Sequence, residues 1–428
     1  MSITIRKTCT QFEREPLVRP FGFKGGYMNR IWQIAVRLES DDGDVGLGIG
    51  TQNVLWSDRN VFLKTAESGG NCLMVAVTDF ALQLIRGTTF ENPMELQEQI
   101  FEEVYDYART ITGLPGLSKT FVLNALVPVD NAAWVLHARA NGHTRFDEII
   151  PDAYRAAFAH RHEQVASIPI ASYGMPLEEV RSLVEREGYF ILKFKLGSPG
   201  DQEEMLQQDM ARVKQIHDAI GHREVTWTDD GKLPYYFDMN GRYESKEILQ
   251  RLLDYAGRIG ALDQIRILEE PFPEVYREDV HDLGVMIAAD ESAHTAQNVE
   301  ERISMGYGAI ALKAVAKTLS MTIRMAHKAW EHSTPCFCAD LTVNPVLLEW
   351  NRNVAARLAP VPGFRIGLLE TNGHQNYRDW DRMKGYHPQP GATWTSDKQG
   401  MFNLGEEYYQ TGGGIFEHSP HYLELTDE

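Results

Sequence analysis

Five short apolar runs in this chain each stop at an ionisable residue: ILKFK at Lys195, YYFD at Asp238, IRILE at Glu269, VMIAAD at Asp290 and AIALK at Lys313. Runs that are apolar on both faces belong to parallel sheets covered by helices. A charge at the C-terminal end of each is the pattern of a (β/α) barrel whose strand ends build an active site. Three carboxylates flanked by two lysine-tipped strands predict a divalent cation with a base on either side of it.

From residue 168 onward strand and helix signals alternate. Eight strands are predicted: IPIASY (168–173), FILKFK (190–195), PYYFD (234–238), IRILE (265–269), VMIAAD (285–290), AIALK (309–313), PCFCAD (335–340) and FRIGLLE (364–370). Amphipathic stretches such as DQEEMLQQDMARVKQIHDAI separate most of them, and eight such units fit an α/β fold of the (β/α)8 type, a modified TIM barrel. The crossover at 277–284 is short for a helix. The segment HREVTWTDDGKLPYY predicts a hairpin inserted before the third strand.

The first part of the chain reads differently. Strands at 32–38 and 45–50 flank the turn-rich ESDDGD, and helices are predicted at 92–108 and 128–141. This is an α+β arrangement. We expect residues 1–160 to form an α+β N-terminal capping domain, completed by 386–428, over a barrel at 161–385.

The length of 428 residues calls for more than one small core. With 42 basic against 60 acidic residues the formal charge is −18, which argues against nucleic acid or an anionic membrane as partner. An anionic substrate stays possible because a bound cation reverses the local field. Cys9, Cys72, Cys336 and Cys338 show neither a zinc spacing nor a disulfide framework; the last two, alternating on one strand, read as buried packing. The polar start MSITIRKTCTQFERE does not read as a signal peptide, and the apolar stretch 73–87 is too short for a membrane span and carries Asp79. A cytoplasmic location is expected.

Alternation along a strand sends Lys193 and Lys195 to the same, inward face. Adjacent strands lie about 5 Å apart, so Asp238, Glu269 and Asp290 converge within reach of one cation. Without it their repulsion raises their pKa values. Asp229 and Asp230, in the hairpin, are the weaker choice for the third-strand ligand because only Asp238 ends an apolar strand. Oxygen-only ligands suit Mg²⁺, or Mn²⁺ in its place, with Asn240 and Glu291 as hydrogen-bonding neighbours. Lys313 lies four strands on from Lys195, halfway round an eight-stranded barrel. A substrate on the cation therefore offers one face to each lysine.

Such a site abstracts a proton next to a carboxylate, and the cation and ammonium groups stabilise the enediolate as its charge develops. A lysine acts as base when burial and cationic neighbours lower its pKa toward about 7–8; Lys193 is such a neighbour for Lys195.

The stretches VDNAAW (129–134), SYG (172–174), KFK (193–195), DMNG (238–241), EEP (269–271), DES (290–292) and LK (312–313) together resemble the enolase superfamily. The similarity is to its muconate cycloisomerase-like (mandelate racemase/muconate lactonizing enzyme) members, which carry Lys-x-Lys on strand two and a lysine on strand six. The superfamily is an established example of Lys or His bases working with Mg²⁺. The resemblance implies Asp238, Glu269 and Asp290 as Mg²⁺ ligands, Lys195 and Lys313 as the acid/base pair, and Lys193 as the group that binds the substrate carboxylate and tunes Lys195. It also implies a homo-oligomer and a small carboxylate substrate.

The pattern breaks at the last two strands. Asp340 stands where the mandelate racemase-like branch has a catalytic histidine. Glu370 is followed by Thr-Asn-Gly-His, not by the Asp-x-Asp with which dipeptide epimerases hold an ammonium group, which argues against a dipeptide substrate. Asp340 and Glu370 either bind hydroxyls of a polyol acid or a cationic group, or cap their strands. Loops 19–27 and 52–60, the second with Trp56, are expected to close over the barrel, with Lys24 meeting a distal anion. The expected activity is that of a racemase, epimerase or cycloisomerase. The alternative is acid-sugar dehydration through the same enediolate. A non-catalytic barrel is disfavoured by the intact set of three carboxylates and three lysines.

Overall fold

The computed structural model describes residues 2–23 and 26–427. Strands β1 (Ile3–Phe23), β2 (Gly26–Ser40), β3 (Val45–Gln52) and β4 (Thr89–Phe90) form an antiparallel sheet in the order β3-β2-β1-β4. The β2–β3 hairpin is the one expected from ESDDGD. β1 escaped the sequence reading: many of its side chains are exposed and charged, so no apolar run marks it.

Helices Arg59–Ile85, Pro93–Thr112 and Lys119–Ala140 share an apolar core with that sheet. The third begins nine residues before the expected start at 128, and Pro128 lies inside it. Proline removes a backbone donor and usually breaks a helix, yet here it sits in the helix interior. Here nearly every side chain from Thr120 to Leu136 is buried, so no polar face marks the earlier turns. The helix backbone sits directly on β3, where Gly46, Gly48 and Gly50 alternate on one face. A Cβ at Gly48 would lie 2.0 Å from the Pro128 carbonyl oxygen, so only glycine permits this approach. The stretch 73–87 lies mostly in the longer helix Arg59–Ile85, whose end at Ile85 is followed by a turn at 86–87. This helix and Lys119–Ala140 are long and apolar enough to cross a membrane, and 94% of the second's apolar window is buried inside the fold.

The second sheet closes into the barrel. Its staves are β5 (Gln164–Ile168) continued after Pro169 by β6 (Ile170–Ala171), then β7 (Leu192–Lys195), β8 (Tyr235–Asp238), β9 (Ile265–Glu269), β10 (Ile287–Ala289), β11 (Ala309–Leu312), β12 (Cys336–Cys338) and β13 (Gly367–Glu370). Neighbouring staves are parallel, with β6 pairing β7 and β5 pairing β13, so the first stave joins both ends of the sheet. A short β14 (Met401–Asn403) adds antiparallel to β5. The first strand starts earlier than predicted and is interrupted at Pro169, which has no N–H for the ladder. The short crossover expected at 277–284 holds only the 3-10 turn His281–Leu283. The inserted hairpin is present as the Glu224–Lys232 bridge.

Alternation decides what the barrel encloses. Ile168, Ile191, Tyr236, Ile267, Ala288, Ala309, Ala311, Phe337 and Leu368 share one interior cluster. Two residues beyond several of these stand Lys193, Asp238, Glu269, Asp290, Lys313 and Glu370, so the same pleat that fills the barrel lifts these groups to its C-terminal mouth. The β1–β3 sheet is pinned over that mouth. Gln33 Nε2 donates to Tyr377 Oη at 2.7 Å, Tyr377 donates to the Thr342 carbonyl at 2.6 Å, and Asn344 Nδ2 donates to Gln33 Oε1 at 2.8 Å.

At the other end of β5, buried His162 binds the Leu358 carbonyl through Nε2 at 2.9 Å. Burial, with His160 beside it, lowers its pKa to about 4 from an ordinary 6.5. Below pH 6.5 the unfolded chain gains a proton that the folded one refuses, so stability is lost as pH falls through this window. We expect the native chain to lose about 1–3 kcal/mol between pH 7 and pH 4 that His162→Gln retains, as read from urea midpoints at the two pH values. Parallel acid limbs for both proteins count against it.

Candidate active site

Lys193 is the hub of the barrel mouth. Its Nζ lies 2.9 Å from Asp238 Oδ2, 3.0 Å from Glu269 and 2.9 Å from Glu370 Oε2, at 3% exposure. Lys195 Nζ is 2.5 Å from Asp238 Oδ2 and 2.6 Å from Asn240 Oδ1. Across the barrel Lys313 Nζ is 2.6 Å from Asp290 Oδ2 and lies 4.6 Å over the ring of Trp56, which the capping helix Val54–Ser57 carries. Strands β8, β9 and β10 separate the two lysine-bearing staves in the sheet order. Lys195 and Lys313 thus hold different carboxylates on opposite sides of Glu269.

The charges are unequal. Burial alone would raise Asp238, but Lys193 and Lys195 outweigh it and hold its carboxyl at about 2. Burial likewise opposes ionisation of Asp290, and Lys313 with Lys317 drives it well below the usual carboxylate range. Glu269 goes the other way: burial and the neighbouring Asp238 push it well above its ordinary value, against Lys193. Burial disfavours the Lys193 ammonium, yet Asp238, Glu269 and Glu370 overcome it and raise the lysine well above its ordinary value. At Lys313 burial is again outweighed, chiefly by Asp290, and the shift is upward. At Lys193 and Lys313 the carboxylates therefore outweigh burial and the neighbouring ammonium groups.

Among the described residues, ligand atoms of Glu269, Asp290 and Glu291 lie within 4.8 Å of one another. Three carboxylates offering oxygen donors alone, with Glu269 pushed up by burial and then by Asp238, fit a hard divalent cation. Asp238 stands outside this group. Its Oδ2 takes the two lysines and its Oδ1 accepts the Asn240 N–H at 3.0 Å. Asn240 in turn donates Nδ2 to Glu291 Oε1 at 3.0 Å, linking Asp238 to the cluster.

Asp340 and Glu370 both line the same cavity, by different routes. Glu370 follows the inward parity of β13. Asp340 does not follow that of β12, where Phe337 and Ala339 face inward, although it stands just two residues past the end of that strand. Its Oδ2 accepts the Asn372 N–H at 2.9 Å and its own N–H binds Glu370 Oε2 at 3.0 Å. Burial, with Glu370 second, raises the Asp340 carboxyl to about 7. Lys24 lies outside the described residues. Asp229 and Asp230 sit remote from the mouth in the hairpin, bridged to Arg365 and Arg266.

Four residues had no assigned role from sequence. Tyr236 donates its hydroxyl to Glu269, and the parity of β8 could have found it, since it precedes Asp238 by two. Lys317 donates to the Asp290 carbonyl at 2.7 Å and to Oδ1 at 3.0 Å; its i+4 spacing from Lys313 was the available signal. Glu270 accepts from Asp290 N at 2.8 Å and Ser292 Oγ at 3.0 Å, clamping the end of β10 from a backbone φ of +41°. Asn372 donates to Glu370 two residues before it, and reaches Asp340 only through the meeting of two loops, which no local pattern records.

With this geometry in view, the comparisons agree. A family model described as "Enolase C-terminal domain-like" matches residues 176–400, more than half of the chain. The chain belongs to the enolase superfamily and is an enzyme of that class. Its fold is similar to that of a dipeptide epimerase from Enterococcus faecalis V583, complexed with Mg and the dipeptide L-Leu-L-Tyr. That match has a TM-score of 0.65 at 17% identity, covering 95% of this chain and 99% of that one. A mandelate racemase/muconate lactonizing enzyme from Roseiflexus sp. matches at a TM-score of 0.66 and 16% identity, over 96% and 97%. An N-succinyl Arg/Lys racemase from Bacillus cereus ATCC 14579 matches at 0.60 and 18%, over 88% and 89%. No curated protein matches in sequence.

Proposed function

We propose that this enzyme moves the α-proton of a small carboxylate from one face to the other, as a racemase or epimerase. The observation that carries the reading is the placement of Lys195 and Lys313, each buried, each on its own carboxylate, with three strand-end positions between them. One lysine takes the α-proton and the other returns a proton from the opposite side. Lys193, at the hub, binds the substrate carboxylate, and Trp56 excludes water above Lys313. Glu269 and Asp290, with Glu291 or Asp238 beside them, are the residues to hold Mg²⁺. Bound there, the ion supplies positive charge to the developing enediolate. The neighbouring racemase and epimerases of this fold support the same class of chemistry.

The test is incubation in D₂O with Mg²⁺ and separate enantiomers of N-acyl amino acids, 2-hydroxy acids and aldonic acids, followed by NMR. Deuterium at the α-carbon together with inversion is the expected result. A 2-keto acid product would instead mark a dehydratase, and no exchange with any of these acids would remove the proton-transfer reading.

A further inference from the structure

The segment that carries Lys313 is held from behind by the capping domain. After the short helix Ala314–Lys317 the chain turns at Thr318, whose φ of 69° and ψ of 155° lie in a region nearly reserved for glycine. A threonine stays there only if its surroundings hold it. Gln97, on helix Pro93–Thr112, donates Nε2 to Thr318 Oγ1 at 2.6 Å, and that oxygen also caps Met321 N at 3.1 Å. Two residues on, Ser320 donates its N–H to Asp130 Oδ2 at 3.1 Å and its hydroxyl to Asp130 Oδ1 at 2.5 Å. Trp134 Nε1 donates to the same hydroxyl at 3.0 Å. Asp130 and Trp134 lie on helix Lys119–Ala140, and all five residues are buried. The capping helices therefore grip one strained point and the first turn of the helix that follows it. The other end of this segment is tied to Asp290 by Lys313 and Lys317. Lys195 bonds Asp238 and Asn240, both barrel residues, so the two bases are supported differently.

We propose that Gln97 and Asp130 are positioning residues for Lys313, making proton transfer on that face dependent on the capping domain. This rests on the two-base reading above. Misplacing a reacting group by about 1 Å can cost on the order of 10²-fold in rate, and loosening Thr318 moves a chain only five residues from Lys313. Neither Gln97 nor Asp130 acts on substrate; each acts through the backbone.

The experiment measures α-proton exchange in D₂O with Mg²⁺ for the separate D and L enantiomers of N-succinyl-lysine, N-acetylmethionine and mandelate. It compares wild type, Lys195→Ala, Lys313→Ala, Gln97→Leu and Asp130→Asn. Gln97→Leu and Asp130→Asn should slow exchange of the enantiomer lost in Lys313→Ala by about tenfold or more, while the one lost in Lys195→Ala changes by less than about twofold. Thr318→Gly, which removes the strain that Gln97 opposes, should restore most of the loss when added to Gln97→Leu. Equal slowing of both enantiomers, without that rescue, means a merely structural role and overturns the proposal while the two lysine variants remain face-selective. If the lysine variants themselves show no face preference, or if no wild-type exchange occurs, the two-base reading fails and this proposal with it.

Discussion

Asp290→Ala is expected to destabilise the fold by about 3–5 kcal/mol, because it strips the counter-charge from two buried lysines at once. Lys313 is 2% exposed and Lys317 is fully buried, and Asp290 binds one through each carboxylate oxygen. Removing one member of a buried ion cluster leaves charge that neither water nor protein compensates. Asp290→Asn keeps the size but not the charge, and should fall between wild type and alanine. Adding Lys317→Met to Asp290→Ala should recover part of the loss, since one stranded ammonium then goes with its partner. Urea unfolding of the four proteins tests this. A shift below about 1 kcal/mol for Asp290→Ala, the range of an exposed ion pair, would show that the lysines find other partners or water.

The second large effect is kinetic. Lys313→Ala and Lys195→Ala should each lower interconversion of the enantiomers by about 10²–10⁴-fold, the usual worth of a positioned acid or base. Each should keep α-proton exchange for the enantiomer whose proton faces the surviving lysine. The geometry makes the two losses complementary, since the lysines stand on β7 and at the end of β11 with three staves between them. Time-resolved NMR of each enantiomer in D₂O separates the cases. Loss of exchange for the same enantiomer in both variants would place both lysines on one face and end the two-base scheme.

Much of the site could be read in the chain because strand parity is a local rule. Once 191, 236, 267, 288, 311 and 368 point inward, so do the residues two further on, whatever the rest of the fold does. That is why Lys193, Asp238, Glu269, Asp290, Lys313 and Glu370 were all found at the mouth. Asp340 shows the limit of the rule, since it lines the mouth although its parity is opposite to that of the inward Phe337 and Ala339. β1 was missed because no side chain from Arg6 to Arg14 is buried, so its middle shows no apolar face, and the true start of helix Lys119–Ala140 because it is buried all round and contains Pro128. Each signal depends on contrast between faces, and each of these elements lacks it.

The sequence by itself determined the barrel, its eight staves and which side chains crown them, since period-two alternation needs only neighbours along one strand. Which charge pairs with which was decided by tertiary structure alone. Lys193 binds Asp238, Glu269 and Glu370 because closure brings the second, third, fourth and eighth staves round one point. Glu291, which follows Asp290, converges with Glu269 and Asp290, while Asp238 turns to the lysines. Such choices turn on differences of an ångström between groups far apart in the chain. Coulomb energies in a buried site change steeply over that distance, and no local pattern carries it.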